Sequence, residues 1–332
     1  MIEVERLTKF FGPVMAVSNI TFQVGKNEIV GLLGNNGAGK TTVMRILTTY
    51  LPATSGRAKV AGHDVMGESM QVRRNIGYLP ESVPLYPEMR VEEYLYYRAT
   101  LKGVDRKLRQ QRIGASLERC RIKEVRRRLL GTLSKGYRQR VGLADSMIHD
   151  PPILILDEPT DGLDPVQKRE TLATLKELGQ THTVMLSTHL LSEVEAICSR
   201  VIILNRGHLG VAKKLSELET DALIIVELRG PADQVTGVLR GIDGVSQVHA
   251  RPLGDGVTQY EVRTRHNQDL RETISQRLMA KNWPLRRLDL SRRRLEDRFY
   301  EVLREQDPLK SVPAGPASHA VQAPPPGSAT DK

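Results

Sequence analysis

The stretch Gly34-Asn35-Asn36-Gly37-Ala38-Gly39-Lys40-Thr41-Thr42 follows a short apolar run, Glu28–Leu33, and opens a segment, Thr41–Tyr50, with helical periodicity. Strand, glycine-rich loop and helix in that order make a phosphate site. The glycines let successive backbone N–H groups turn toward phosphate oxygens, and the helix N-terminus adds its positive end. Lys40 then reaches the β- and γ-phosphates, and the Thr41 hydroxyl falls to a Mg²⁺ ion. A dinucleotide fold of the dehydrogenase kind wants a third glycine near Thr42, and none is there. The expected ligands are the phosphates of a nucleotide and Mg²⁺.

Further along, Ile153-Leu154-Ile155-Leu156 and Thr183–Leu186 are apolar without alternation. Such runs fit parallel strands covered on both faces, and an α/β fold of the P-loop NTPase kind. The first ends in two carboxylates, Asp157 and Glu158. Parallel strands deliver ligand-contacting groups at their C-terminal ends, so Asp157 is expected at the Mg²⁺. Glu158, one residue on, is placed to orient and deprotonate a water in line with the γ-phosphate.

The flanks add detail. Met1–Val24 alternates short apolar runs with polar turns at Gly12-Pro13 and Asn19, the pattern of an antiparallel β subdomain. Val91–Arg128 has Leu, Tyr and Ile at helical spacings and predicts a subdomain of two or three helices. Val201–Leu204 and Leu209–Val211 predict a hairpin. After Leu218 the predicted order is strand, helix, strand, strand, helix, strand, that of a small α+β ferredoxin-like domain. An amphipathic helix, Leu295–Arg304, closes it, and the Pro- and Ala-rich remainder has little to bury and is expected to be disordered. The division is therefore 1–218, 219–305 and 306–332.

The chain has 332 residues, 39% hydrophobic and 27% charged, with a net charge of +10. Twelve Lys/Arg stand against three Asp/Glu between Arg98 and Arg128, and nine against four between Arg271 and Arg298. This charge suits nucleic acid, an anionic membrane surface or an acidic partner, and does not choose among them. The two cysteines, Cys120 and Cys198, have neither pairing nor metal-ligand spacing and fit a reducing cytoplasm. The opening Met1-Ile2-Glu3-Val4-Glu5-Arg6 lacks a basic start and apolar run, so no signal peptide is expected. No stretch approaches ~18 apolar residues, so no membrane span is expected either.

Five motifs now stand in one order. Leu133-Ser134-Lys135-Gly136-Tyr137-Arg138-Gln139-Arg140 resembles the signature motif of the ATP-binding cassette (ABC) ATPases. Gly162-Leu163-Asp164-Pro165 resembles their D-loop, and Ser187-Thr188-His189 their switch histidine. Phe11 sits where the family places an aromatic that stacks on adenine, and Ile76–Glu81 where it has its glutamine loop. The resemblance covers residues 1 to about 218. It implies that two cassettes meet head to tail, so that ATP on Lys40 of one faces Ser134 and Gly136 of the other. His189 is then expected at the γ-phosphate, and a homodimer or a pairing with a sister subunit follows.

Two departures stand out. Lys135 and Tyr137 interrupt the usual Leu-Ser-Gly-Gly-Gln, and Glu81 replaces the usual glutamine while remaining able to ligate Mg²⁺. The variant motifs resemble those of ATPases paired with ABC-2-type export permeases, of the gliding-motility and multidrug-export kind. That resemblance implies an integral membrane permease as partner and a peripheral position on the cytosolic face of the cell membrane. It also implies that the basic helical segment contacts the permease or anionic lipid. A soluble ABC protein acting on ribosomes or DNA is the competing reading. Its relatives carry tandem cassettes or long heptad coiled coils, which are missing here, and aromatics for base stacking are sparse. A non-hydrolysing scaffold is disfavoured by Lys40, Asp157, Glu158 and His189 together.

Overall fold

The computed structural model describes residues 1–218, 222–265, 268–292 and Phe299. The predicted closing helix and the tail lie outside the described residues, Phe299 excepted. The chain opens with β1 (Ile2–Phe11) and β2 (Val14–Val24), then β3 (Ile29–Leu33), the phosphate loop and α1 (Lys40–Leu47). Next come β4 (Ser55–Val60), β5 (His63–Asp64), α2 (Ser69–Asn75) and β6 (Ile76–Leu79). The helical layer is α3 (Val91–Leu101), α4 (Arg109–Arg119) and α5 (Lys135–Met147). After it follow β7 (Ile153–Leu156), α6 (Pro165–Leu178), β8 (Thr183–Thr188), α7 (Leu191–Ile197), β9 (Arg200–Asn205), β10 (His208–Lys214) and the single turn α8 (Leu215–Leu218).

The central sheet has the order β10-β9-β3-β8-β7-β6. The strands β3, β7 and β8 are parallel and buried along their whole length, as continuous apolar runs require. Register then builds the site. Leu33 pairs with Thr188 and Leu156 with Leu186, so the loop after β3, the carboxylates after β7 and the histidine after β8 emerge side by side.

A second sheet, β2-β1-β4-β5, packs its alternating apolar face (Ile2, Val4, Val17, Ile20, Ala58) into one core with α1 and the central sheet. No turn forms at Asn19. That residue lies inside β2 at φ 48°, its N–H donating to Thr8 Oγ1 at 2.9 Å. Leu7 pairs with Ile20 and Lys9 with Val17, so the one residue between on β1 faces two on β2. That is a β-bulge, and the polar residue marks it.

The helical layer has its own apolar core through Tyr94, Leu95, Ile113, Leu117 and Val141, continuous with the sheet at Leu156 and Leu186. Much of its basic run is neutralised within the chain. Arg98 and Lys102 both reach Asp145, Arg112 reaches Asp150, Arg121 reaches Glu170, and Arg126 lies 3.9 Å from Glu92.

The last elements are β11 (Ala222–Arg229), α9 (Ala232–Arg240), β12 (Val245–Gly254), β13 (Val257–Thr264), α10 (Arg271–Met279) and β14 (Leu285–Arg292). Their βαββαβ order forms an antiparallel sheet, β12-β13-β11-β14. Ile224, Val226 and Val262 of that sheet close on Val235 and Leu239 of α9 and Ile274 and Leu278 of α10. No described helix is long and apolar enough to cross a membrane.

Candidate functional site

The phosphate loop begins where β3 ends and turns straight into α1. Gly39, at φ 100°, caps that helix in a conformation that side chains resist, and a Cβ there would meet the Ala16 carbonyl oxygen at 2.6 Å. Lys40 follows as the first helical residue and is buried. Its ammonium donates to the Gly34 carbonyl at 2.7 Å and the Asn35 carbonyl at 3.3 Å, and lies 3.3 Å from Glu158 Oε1.

Asp157 is fully buried at the end of β7. Its Oδ1 accepts from Ser187 Oγ at 2.6 Å and from Thr41 Oγ1 at 3.2 Å. Its Oδ2 is buried with no hydrogen-bond partner. A buried carboxylate oxygen without a donor is costly, and a hard divalent cation is the kind of group that satisfies it. Among the described residues no three His, Cys, Asp or Glu side chains converge as a metal cage. Mg²⁺ takes one or two protein ligands and fills the rest with phosphate oxygens and water. Thr41 and Asp157 fit such an ion.

Glu158 sits at φ 48°, a left-handed conformation uncommon outside glycine and characteristic of functional sites. Ser187 Oγ holds it there by accepting its backbone N–H at 2.9 Å. One carboxylate oxygen faces Lys40, and the other lies 3.1 Å from His189 Nδ1. Glu158 thus bridges the phosphate lysine and the histidine after β8. These groups share a cleft of about 530 Å³ whose wall includes Asn36 to Thr42, Glu81, Glu158, Asp161 and His189.

Three expected residues lie elsewhere. Phe11 ends β1, half exposed, with Lys9 Nζ 5.1 Å from its ring centroid, and the apolar residues on the cleft wall nearest the hairpin are Val14, Met15 and Ala16 instead. Ser134 caps α5, accepting the Tyr137 N–H at 3.4 Å, and Gly136 is buried against Gln167 of α6. Neither lines the cleft that contains Lys40.

The motifs give no role to three further residues that the fold recruits. Ser187 clamps both carboxylate residues, and a hydroxyl closing an apolar strand was an available signal. Glu193 of α7 is almost fully buried and accepts from Thr160 Oγ1 at 2.6 Å and Thr188 Oγ1 at 2.7 Å, with Lys168 Nζ at 3.0 Å. It ties the turn after Glu158 to the strand end before His189, from partners that only the topology brings together. Asp161 lines the cleft beside Glu158 and pairs with Lys135.

The ABC transporter family model matches residues 17–161. The uncharacterized ABC transporter ATP-binding protein YhaQ of Bacillus subtilis is 32% identical over 304 residues, 91% of this chain and 98% of that protein. The chain belongs to the ABC transporter ATP-binding proteins. This ABC protein is accordingly an ATPase. It is also similar to the linearmycin resistance ATP-binding protein LnrL of B. subtilis, 31% identical over 76% of this chain and 83% of that one. A solved ATP-binding subunit of an ABC transporter superposes on it with a TM-score of 0.61 at 28% identity, covering 66% of this chain and 92% of that one. The P-loop core and the helical layer of this ABC ATPase are therefore those of a transporter cassette.

Proposed function

We propose that this ABC ATPase drives a separate membrane permease, in the export direction, by ATP-dependent closure of two cassettes head to tail. The carrying observation is the cluster of Lys40, Asp157, Glu158 and His189 at three adjacent strand ends. In this reading the loop 34–42 binds the phosphates, and Thr41, Asp157 and Glu81 hold Mg²⁺, which draws charge from the phosphate oxygens. Glu158 takes the proton of the attacking water, and His189 fixes the Glu158 carboxylate and the γ-phosphate. Phe11, half exposed at the end of β1 and outside the cleft wall formed by Val14, Met15 and Ala16, offers an aromatic face to adenine from the rim.

Ser134 and Gly136 stand outside the cleft that contains Lys40. Their donors reach a nucleotide only if a second copy presents it, and that supports the head-to-tail arrangement. Closing them over the γ-phosphate excludes water and supplies preorganised hydrogen bonds. The likeness to LnrL supports the export direction, and the basic surface of the helical layer suits the permease or anionic headgroups. The protein is then peripheral on the cytosolic face of the membrane.

Glu158→Gln tests this reading. The variant is expected to bind ATP, to lose at least ~10³-fold in turnover, and to elute as a dimer only with ATP. Mixing Lys40→Ala with Ser134→Arg chains should then restore part of the activity, because one site of the mixed dimer is whole. Near-normal turnover of Glu158→Gln, or no recovery in proven heterodimers, overturns it.

A further inference from the structure

The cleft is short of positive charge for a site that takes a polyanion. Among the described residues on its wall, Lys40 faces three carboxylates, Glu81, Glu158 and Asp161. Glu158 is partnered by Lys40 and His189. Asp161 has a different partner. Lys135 Nζ, from the first residue of α5, lies 2.7 Å from Asp161 Oδ2.

The backbone is shaped around this contact. Gly162 has φ 67°, and a Cβ there would lie 2.3 Å from Lys135 Nζ, 2.7 Å from Cε and 2.8 Å from Cδ. The lysine stem therefore lies flat across the turn after Asp161, where any other residue would displace it. The Asp161 N–H donates to the Glu158 carbonyl at 3.1 Å, so the turn is continuous with the Glu158 backbone. The hydrogen bond from Lys135 also holds the Asp161 carboxyl below the usual range, against the opposing effect of burial.

We propose that Lys135 is a positioning residue that acts within its own subunit, neutralising Asp161 and drawing its carboxylate toward α5 so that the cleft accepts the ATP phosphates. The lysine at the third position of the signature and the aspartate just before the D-loop are thus one device. An ammonium suits the task because it is a compact point charge on a flexible stem. The pair also joins the N-terminus of α5, with Ser134 and Gly136, to the turn that carries Glu158. The inference rests on the nucleotide site proposed above.

A double-mutant cycle tests it, with binding of a fluorescent ATP analogue and steady-state ATPase as readouts. Lys135→Gln should weaken nucleotide binding and raise KM roughly fivefold, the upper end for exposed charges, with a smaller change in kcat. The loss should shrink as salt rises, because the Debye length falls to about 8 Å at physiological ionic strength. Lys135→Arg should bind as the wild type does. Adding Asp161→Asn to Lys135→Gln should restore affinity, since the charge that needed neutralising is gone. A loss of the same size with and without Asp161, or no loss at all, overturns the proposal. A loss confined to ATP-dependent dimerisation also overturns it, because the lysine would then serve the partner's nucleotide. Lys40→Ala is the control: if it leaves binding intact, the nucleotide site proposed above is overturned and this proposal falls with it, whereas lost binding there with no loss in Lys135→Gln overturns the role of Lys135 alone.

Discussion

At the residue scale the site depends on how few carboxylate oxygens are left without a donor. Asp157 Oδ2 is such an atom and neither oxygen of Glu158 is, and in the function proposed above that difference separates a metal ligand from a base although the two are neighbours in sequence. Glu81 is the residue whose chemistry departs furthest from the family. It lines the cleft and its carboxylate carries charge where an amide would not. Near a metal and a phosphate, that charge attracts one and repels the other, so ATP affinity should change little while Mg²⁺ dependence changes more. Glu81→Gln is expected to keep ATPase activity but to raise the Mg²⁺ concentration for half-maximal rate, whereas Glu81→Ala should lower the rate itself. Unchanged Mg²⁺ titrations in both variants would make Glu81 a loop anchor.

At the element scale, α3 is pinned to the signature helix α5 by one buried carboxylate. Asp145 of α5 accepts from Arg98 Nε of α3 at 3.0 Å and lies 3.0 Å from Nζ of Lys102, the residue that caps the C-terminus of α3. Burial pushes the Asp145 carboxyl up, but Lys102 and Arg98 outweigh it and hold it below the ordinary 3.8. A carboxylate depressed in the folded state adds stability that is complete above the ordinary value and lost as pH falls through the lower, folded one. Asp145→Asn leaves two cations facing each other and should cost about 3 kcal/mol at neutral pH, read as a lower urea midpoint with an unchanged slope. The gap to wild type should close in acid, below about pH 4. A gap independent of pH would mean that packing, not charge, joins the two helices. None of this was legible in the sequence. The runs Ile29–Leu33, Ile153–Leu156 and Thr183–Thr188 declared themselves because buried parallel strands are apolar throughout. Lys40, Asp157 and Glu158 stood out because a phosphate loop and a strand-end carboxylate pair have fixed spacings, and the register of the sheet brings the three side by side. Asp145, Ser187 and Glu193 did not, because each is polar inside an apolar setting and its partners are far away in the chain. The β-bulge at Asn19 read as a turn for a related reason, since a polar residue at positive φ serves both.

At the scale of the whole molecule, the question is what the C-terminal part does to a cassette whose cleft is assembled without it. Its sheet and helices close on their own apolar core. Phe299, beyond the last strand, belongs to a different cluster and is buried with Leu33, Val194, Val201, Ile203 and Leu218. Leu33 is the last residue of the strand that feeds the phosphate loop, and Val194 is next to Glu193 on the helix after His189. An aromatic beyond the last described strand thus packs behind β3, which feeds the phosphate loop, behind β9, and behind the helix that follows His189. Removing it takes packing from the cassette and leaves the C-terminal core untouched. Phe299→Ala should therefore cost about 3 kcal/mol in the unfolding of the cassette, within the range for buried aromatics cut to alanine. Urea unfolding followed with and without ATP reads this, and the stabilisation by ATP should persist, since it depends on the ligand and not on the core. ATPase activity at saturating ATP tests the link to α7: a fall in kcat greater than the loss of folded protein means that the C-terminal contact helps hold the helix after His189. An unchanged urea midpoint would instead leave the C-terminal part attached by its linker alone, with any influence on turnover arriving by another route.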